Sequence, residues 1–425
     1  MASFFIPLTG LEADSTALNT IANDLSNMNT TAFKGQAANF SDLFYQQVGS
    51  AGSGDPVQVG AGTQVASIST DFTQGSINST GSATDVALNG NGFFVVNNGG
   101  VSEYTRDGNF SLDSSGNLIS QNGLSVMGYP AVNGVVNTNS PLTRISIPVG
   151  QVEPPKASTT MNMTANLNAT SAAGATFPAQ VTVYDSLGVS HVATVTYTQT
   201  GTNTWSYSVA LPAADFASGT STPVTGTMTF NANGNLTSVT PSGGAAQTVG
   251  TAAGDIAQVP LNFTGLADGA APLSMQWNLL GTNGTPTISQ VSASSAVSAT
   301  TQNGYASGQY QSFTIGSDGT VSATFSNGQQ LAVGQVALAN VTNLQGLRML
   351  GDGDYATTMA SGAASIGTSG TAGLGTLQDG ALEESNVNIS AEFSNLIIAQ
   401  RAFEANSKAV TTFDTVTQET INMIH

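Results

Sequence analysis

Residues 18–35 read "LNTIANDLSNMNTTAFKG", and the fold turns on what covers the apolar stripe they carry. Leu18, Ile21, Leu25 and Met28 fall at helical spacing. Followed towards the N-terminus, a period of seven takes in Leu11 and Phe4, which predicts one helix from about Phe4 to Met28. "NMNTTAFKG" ends it with Asn, β-branched residues and Gly35. No neighbouring segment offers a matching helix.

The other end of the chain does. Residues 388–425 read "NISAEFSNLIIAQRAFEANSKAVTTFDTVTQETINMIH", with an apolar stripe of Phe393, Leu396, Ile397, Phe403, Val410, Phe413, Val416, Ile421 and Ile424. No Gly or Pro interrupts it, Asn388 or Ser390 can cap its start, and Glu392 suits the first turn. At about 1.5 Å per residue this helix exceeds roughly 50 Å, too long for a small core and long enough for a coiled-coil arm. The polar faces at both ends carry Asn, Ser, Thr and Gln more than Lys and Glu. Helices bathed in water usually carry more charge, so these faces point to packing against further copies of the chain.

Between the two helices the pattern changes to period two. "GFFVVNNGGVSEYTR" (92–106) reads as strand, Asn-Gly turn, strand, and "FSLDSSGNLISQNG" (110–123) continues it. "FTIGSDGTVSATFSNGQQLAV" (313–333) repeats the logic, so one β domain is expected to draw on two separated parts of the chain. Pro154-Pro155 marks a boundary. Beyond it, "VTVYDSLGVSHVATVTYTQTGTNTWSYSVAL" (181–211) reads as a three-stranded meander with Trp205, Tyr207, Val209 and Leu211 on one face. "SGAASIGTSGTAGLG" (361–375) reads as extended or flexible.

Composition narrows the function classes. Apolar residues are 40% of the chain, charged residues only 8%, and there are 48 Gly, which suits many short strands joined by Gly-rich turns. Seven basic residues against 25 acids leave a formal charge of −18, which repels nucleic acid and anionic lipid. No Lys or Arg lies between Lys156 and Arg348, and a surface that neutral lets copies stand side by side with little repulsion. Cysteine is absent, so disulfide and thiolate chemistry are excluded. "MASFFIPLTG" lacks the basic and long apolar regions of a cleaved signal.

Catalytic patterns are missing. His191 and His425 are the only histidines, and no zinc set, G-x-S-x-G or P-loop is present. His191, on a predicted strand, reads as structural. "GDGDYAT" (351–357) lacks the further oxygens of a calcium loop and reads as a polar turn. Glu383-Glu384, just before a helix, reads as a solvated pair. No catalytic residue, cofactor site or metal site is expected.

"LTGLEADSTALNTIANDLSNMNTTAFKG", "TDFTQGSINSTGSATDVALNGNGFFVV", "YTRDGNFSLDSSGNLISQNGLSVMGYP" and "LEESNVNISAEFSNLIIAQRAFEANSKAVTTFDTV" together resemble the signatures of the flagellar rod and hook axial protein family. They cover roughly half the chain, in order, at both ends. The segments "VYDSLGVSH…NTW" and "QNGYASGQYQSFTIGSDGTVSATFSNGQQLAVGQVALANVTNLQGL" are similar to those of the family's hook members, whereas its rod members are shorter and lack the insertion. Asp24 stands where the family favours Asn, Ala32 where it favours Gly, and Phe403 where it favours Tyr. Asp14 puts a charge where Ala is common.

The resemblance implies an α+β fold in which long N- and C-terminal helices pair as a coiled coil. Two mainly β domains lie between them, the outer inserted in the inner. Its expected parts are an N-terminal helix (1–30), a connecting segment (31–70), an inner β domain (71–150 and 301–360), an outer β domain (151–300), a Gly/Ala/Ser-rich connector (361–385) and a C-terminal helix (386–425). It implies a non-enzymatic subunit of the extracellular hook, a curved tube between rod and filament, exported unfolded through the flagellar type III apparatus. The implied partners are further copies of the chain, a hook cap protein, a distal rod protein and a hook–filament junction protein. Polymer contacts are expected at Leu11, Leu18, Ile21, Leu25, Met28, Phe393, Leu396, Phe403, Val410, Phe413 and Ile421. "NFSDLF" resembles the family's export-gate motif, which maps to Phe40 and Phe44; ordinary packing of a strand or turn is the competing reading. Two other functions stay open at this point, a distal rod protein of the same family and a secreted β-rich adhesin.

Overall fold

Alternation of apolar and polar residues sets strand after strand, joined by turns, between residues 36 and 383, and a helix stands at each end. The computed structural model describes residues 4–50 and 56–424; residues 1–3, 51–55 and His425 lie outside the described residues. Helix α1 spans Phe5–Ser26 and helix α2 spans Ile389–Ile424. Asn388 caps α2, its side chain accepting a hydrogen bond from the Ala391 N–H at 3.1 Å. The chain forms two compact units, one of Met1–Val149, Ser312–Thr324 and Gln330–His425, the other of Gly150–Gln311 and Phe325–Gln329.

In the first unit an antiparallel sheet runs in the order Thr320–Phe325, Gln330–Val336, Ser125–Val132, Phe93–Asn98, Val101–Thr105, Asp354–Ala356, Arg348–Gly351. The hairpin at Asn98 turns through Gly99 (φ 58°) and Gly100 (φ 102°), a pair of positive φ values that side chains resist. Phe93, Val95, Tyr104, Tyr129 and Tyr355 build one core, with the Phe93 and Tyr355 rings 5.5 Å apart edge to face.

The second unit contains two sheets. Thr176–Tyr184, Ser190–Gly201 and Thr204–Ala210 form the expected meander, which continues through Val224–Phe230, Leu236–Pro241 and Gln247–Thr248. The other sheet is centred on Thr160–Asn168, flanked in parallel by Leu273–Asn278 and Ile288–Val291 and in antiparallel by Ala296–Gln302. Their inward side chains share one core. Trp277 packs edge-on to Tyr207 at 5.6 Å, and Trp205, Tyr207, Val209 and Leu211 are all buried.

Two segments differ from expectation. The stretch 361–385 is no loose connector: Ser365–Gly367, Thr376–Asp379 and Ala381–Glu383 pair with Leu338–Asn340, Val86–Asn89 and Ile77–Ser79. Its Leu374, Leu377 and Ala381 are buried. Its glycines make close approach possible, since a Cβ on Gly375 would strike the Asn89 carbonyl. The segment 31–70 likewise contains a ribbon, Gln36–Asp42 against Thr63–Thr70, with a bulge between Asn39 and Phe40. Its small polar residues hide the strand period.

The chain leaves α1 through Ala32, buried at φ 56° with its N–H donating to the Glu383 carbonyl at 2.8 Å. An L side chain there costs about 1–2 kcal/mol, which accounts for a preference for Gly. Ala32→Gly should therefore leave stability unchanged or raise it by up to about 1 kcal/mol, and Ala32→Val should lower it by about 2 kcal/mol. Urea unfolding checks both; a Gly variant weaker than the parent by more than that margin contradicts the strain.

Candidate functional site at the terminal arms

The face of α1 that the single chain buries is not its large apolar stripe. Pro7, Gly10, Ala13, Thr20 and Asp24 are the buried residues, while Leu11, Leu18, Ile21 and Leu25 are half-buried. Against this small-residue face lies α2. A methyl group on Gly10 would run into the Asn406 amide, and the same amide donates to Asp14 Oδ2 at 2.8 Å. The charge at Asp14 thus has a partner on the other helix. Asp14, Ala17, Thr20 and Ile21 line one side of a cleft whose other sides are Ile398, Ala399 and Ala402 of α2 and Phe40 of the ribbon. α1 also rests on the ribbon, where the Thr63 N–H donates to Thr9 Oγ1 at 3.3 Å.

The expected polymer residues on α2 divide in two. Leu396, Val410 and Phe413 are half-buried; Phe393, Phe403 and Ile421 are exposed, as are Ile397, Ile398 and Val416. Met28, beyond the end of α1, is exposed as well. Of the export pair, Phe40 is exposed on the ribbon and Phe44 follows it with 92% of its surface open. The chain therefore brings together one part of the expected set and leaves another part facing outward.

What ties the arms to the sheet escaped the sequence reading. Glu383, expected in water, is buried, and both its oxygens are used. Oε1 receives Lys34 Nζ at 2.5 Å and the Gly75 N–H at 2.9 Å; Oε2 receives Arg106 Nε at 3.2 Å. Lys34 also donates to the Thr73 carbonyl, and Arg106 to the carbonyls of Gly90 and Gly92. Burial pulls the pKa of Lys34 and of Arg106 below its ordinary value, and the Glu383 carboxylate opposes both. Asn386 adds a neutral strap, accepting the Gly35 N–H at 2.9 Å and donating to the Asp71 carbonyl at 2.8 Å. The available clue was Lys34 itself, one of only seven basic residues and set in the apolar context "TAFKG".

Asp24 closes the junction. Its Oδ2 accepts the Gln36 N–H at 2.8 Å, and its other oxygen is buried without a protein partner. Burial pushes its pKa up to about 6; the Gln36 hydrogen bond works the other way and the Glu392 charge adds to the rise. Among the described residues none of these groups forms a catalytic arrangement.

Comparison with known proteins supplies the context. Residues 87–166 match the family model "Flagellar hook protein FlgE/F/G D1 domain", 155–305 match "Flagellar basal body protein FlaE D2 domain", and 378–423 match "Flagellar basal body rod FlgEFG protein C-terminal". The flagellar hook protein FlgE of Escherichia coli is 36% identical, with 99% of this chain and 100% of that protein covered. That of Borreliella burgdorferi is 32% identical, covering 100% and 99%. The crystal structure of Helicobacter pylori flagellar hook protein FlgE2 shares the fold at a TM-score of 0.54 and 15% identity, covering 72% of this chain and 100% of its own.

Removing one member of a buried charge set leaves the others uncompensated. Glu383→Ala should destabilise the chain by about 3–5 kcal/mol in urea unfolding; a loss under about 1 kcal/mol contradicts the clamp. Asp24 works in the opposite sense. Its folded pKa lies above the ordinary 3.8, so its ionisation disfavours the fold progressively as pH rises from about 4 through about 6. Asp24→Asn should thus be nearly neutral at pH 4 and stabilise by about 1 kcal/mol at pH 8, discounted for solvent screening. Equal effects at both pH values count against it.

Proposed function

This chain belongs to the flagellar hook protein family, and from that premise we propose how its two ends build the hook. It is a structural subunit of the flagellar hook and assembles into the hook polymer. In our reading α1 and α2 pair as a coiled coil, and copies of that pair form the innermost layer of the tube around the lumen. The two β domains, 71–150 with 301–360 and the inserted 151–300, lie outside this layer.

One observation carries the reading. A single chain leaves Phe393, Ile397, Ile398, Phe403, Val416 and Ile421 exposed on α2. Each such side chain gains about 1.5–3 kcal/mol on full burial, so a chain that ends this way gains by packing against copies of itself. The seam within one chain supports the same view: the helices approach so closely at Gly10 that a Cβ there would strike Asn406, while large apolar side chains of α2 stay open for neighbours.

Transmitting torque around a bend from rod to filament needs contacts that hold and contacts that exchange. The terminal helices hold. The 151–300 domain has a single basic residue, Lys156, so ion pairs between copies are few and sliding breaks only weak polar contacts. The export apparatus engages Phe40 and Phe44, a role their exposure favours. Among the described residues no helix is long and apolar enough to cross a membrane. A cap protein guides growth, a distal rod protein takes the base and a junction protein takes the tip.

Phe403→Asp tests the reading. Phe403 is already 39% exposed, so the variant should keep its thermal unfolding and circular dichroism while electron microscopy finds no hooks. Curved tubes of normal length from this variant would sink the proposal.

A further inference from the structure

His191, only 4% exposed, opens the strand Ser190–Gly201 in the second unit and turns both ring nitrogens to carboxylates. Nε2 lies 3.0 Å from Asp185 Oδ2 and Nδ1 lies 2.9 Å from Asp215 Oδ2, with Asp268 Oδ2 3.9 Å from Nε2. Asp185 belongs to the hairpin turn that leads into this strand, Asp215 to the single turn Ala213–Asp215, and Asp268 to the loop between Gln258–Phe263 and Leu273–Asn278. These three carboxylates are the ring's charged neighbours among the described residues. The unit's only Lys or Arg, Lys156, is exposed and pairs with none of them.

A neutral imidazole donates from one nitrogen and keeps a lone pair on the other. Here that lone pair would face a carboxylate oxygen at 2.9 or 3.0 Å in either tautomer, whereas an imidazolium donates to both. Asp185 is a poor alternative place for the proton, because its Oδ1 accepts the N–H groups of Leu187 and Val189 at 2.8 and 2.9 Å, which favours the ionised form. Burial alone would lower the pKa of His191, but the hydrogen bonds to Asp185 and Asp215, with their charges, outweigh it and raise the value above the ordinary 6.5. Burial works to raise the pKa of Asp185, but hydrogen bonding with Asp268, His191 and the loop N–H groups outweighs it and holds the value at about 2.

The ring joins pieces of chain that come from three places. The Asp215 and Asp268 segments are tied directly, the Ala217 N–H donating to the Gly265 carbonyl and the Ala267 N–H to the Asp215 carbonyl, both at 2.9 Å. The Asp185 turn is tied to them by His191 and by the Ala271 N–H, which donates to Ser186 Oγ at 3.0 Å. On its other side the turn meets the stretches by which the chain enters and leaves the unit. Tyr184 exchanges two hydrogen bonds of 2.9 Å with Ser158, and a Cβ on Gly188 would strike Pro155 and crowd Ala306.

We propose that His191 is a standing imidazolium clamp, which holds the Asp185 turn between the Asp215 and Asp268 loops and the chain's entry and exit at Pro155 and Ala306, and which alkaline solution opens. The folded pKa of His191 lies above 6.5, so its contribution to stability is whole below about pH 6.5 and is lost as pH rises through the folded midpoint. Asp185 behaves in the opposite sense: its contribution is whole above about pH 4 and is lost as pH falls towards about 2. The clamp is therefore closed in mildly acid solution and opens above neutrality.

The test follows the ring signals of the full-length chain, labelled at histidine, by NMR from about pH 5 to about pH 10. The chain has two histidines, and His425→Gln leaves His191 alone to observe. His191 should still be an imidazolium at pH 7 and should bind its proton at least about tenfold more tightly than a free imidazole; Asp215→Asn should weaken that binding by about tenfold. The thermal midpoint of the parent should fall as pH rises through the His191 midpoint, and that of His191→Gln should fall less. A neutral ring at pH 7, a proton held no more tightly than in free imidazole, no change in Asp215→Asn, or an equal thermal fall in His191→Gln would each overturn the proposal. Should His191→Gln fail to fold, the titrations of the parent and of Asp215→Asn decide it.

Discussion

Glu383 gives up water at both oxygens to hold Lys34 and Arg106, and every other feature of the terminal arms is arranged around that exchange. Lys34 lies just past the exit of α1, Glu383 just before the start of α2, and Arg106 at the end of the central hairpin. A buried ion triad is weak ground for net stability, but once buried its members cannot be separated cheaply. It therefore fixes register: the two ends, more than 340 residues apart in the chain, leave the β unit at one place. Asn386 and the Ala32 backbone reinforce the junction without adding charge.

From that point the helices run together along small residues. Gly10 lets the backbones come close beside Asn406, the Asp14–Asn406 hydrogen bond fixes their stagger, and Ala17, Ala399 and Ala402 line the cleft next to them. The apolar stripe of α1 is only half covered and much of α2 is open, which is costly for a solitary chain and useful for a polymer. In the proposed assembly, anchoring and polymer contacts thus use different residues on the same helices.

Much of the fold was legible because its periods are clean. The seven-residue repeat of Leu11, Leu18 and Leu25, the uninterrupted run to Ile421 and the alternation of Trp205, Tyr207 and Val209 correspond to helices and strands at those positions. Two features were not. Strands in 361–385 were masked by glycine, whose role there is steric access rather than freedom. Glu383 looked solvated because its partners lie 349 and 277 residues away, and no local pattern encodes a long-range ion pair. The stripe also misled in one respect: spacing found the helix faces, but only packing decides which face the chain keeps for itself.

The absence of cysteine offers a direct measurement of the central claim, that the open face of α2 is reserved for neighbouring copies. A single cysteine introduced by Ile397→Cys can be labelled with a maleimide in dilute monomer and again after assembly into hooks, beside Thr202→Cys on a loop of the second unit. The account predicts that Ile397→Cys labels readily in the monomer and is strongly protected in the polymer, while Thr202→Cys labels in both. Equal labelling of Ile397→Cys before and after assembly would contradict it.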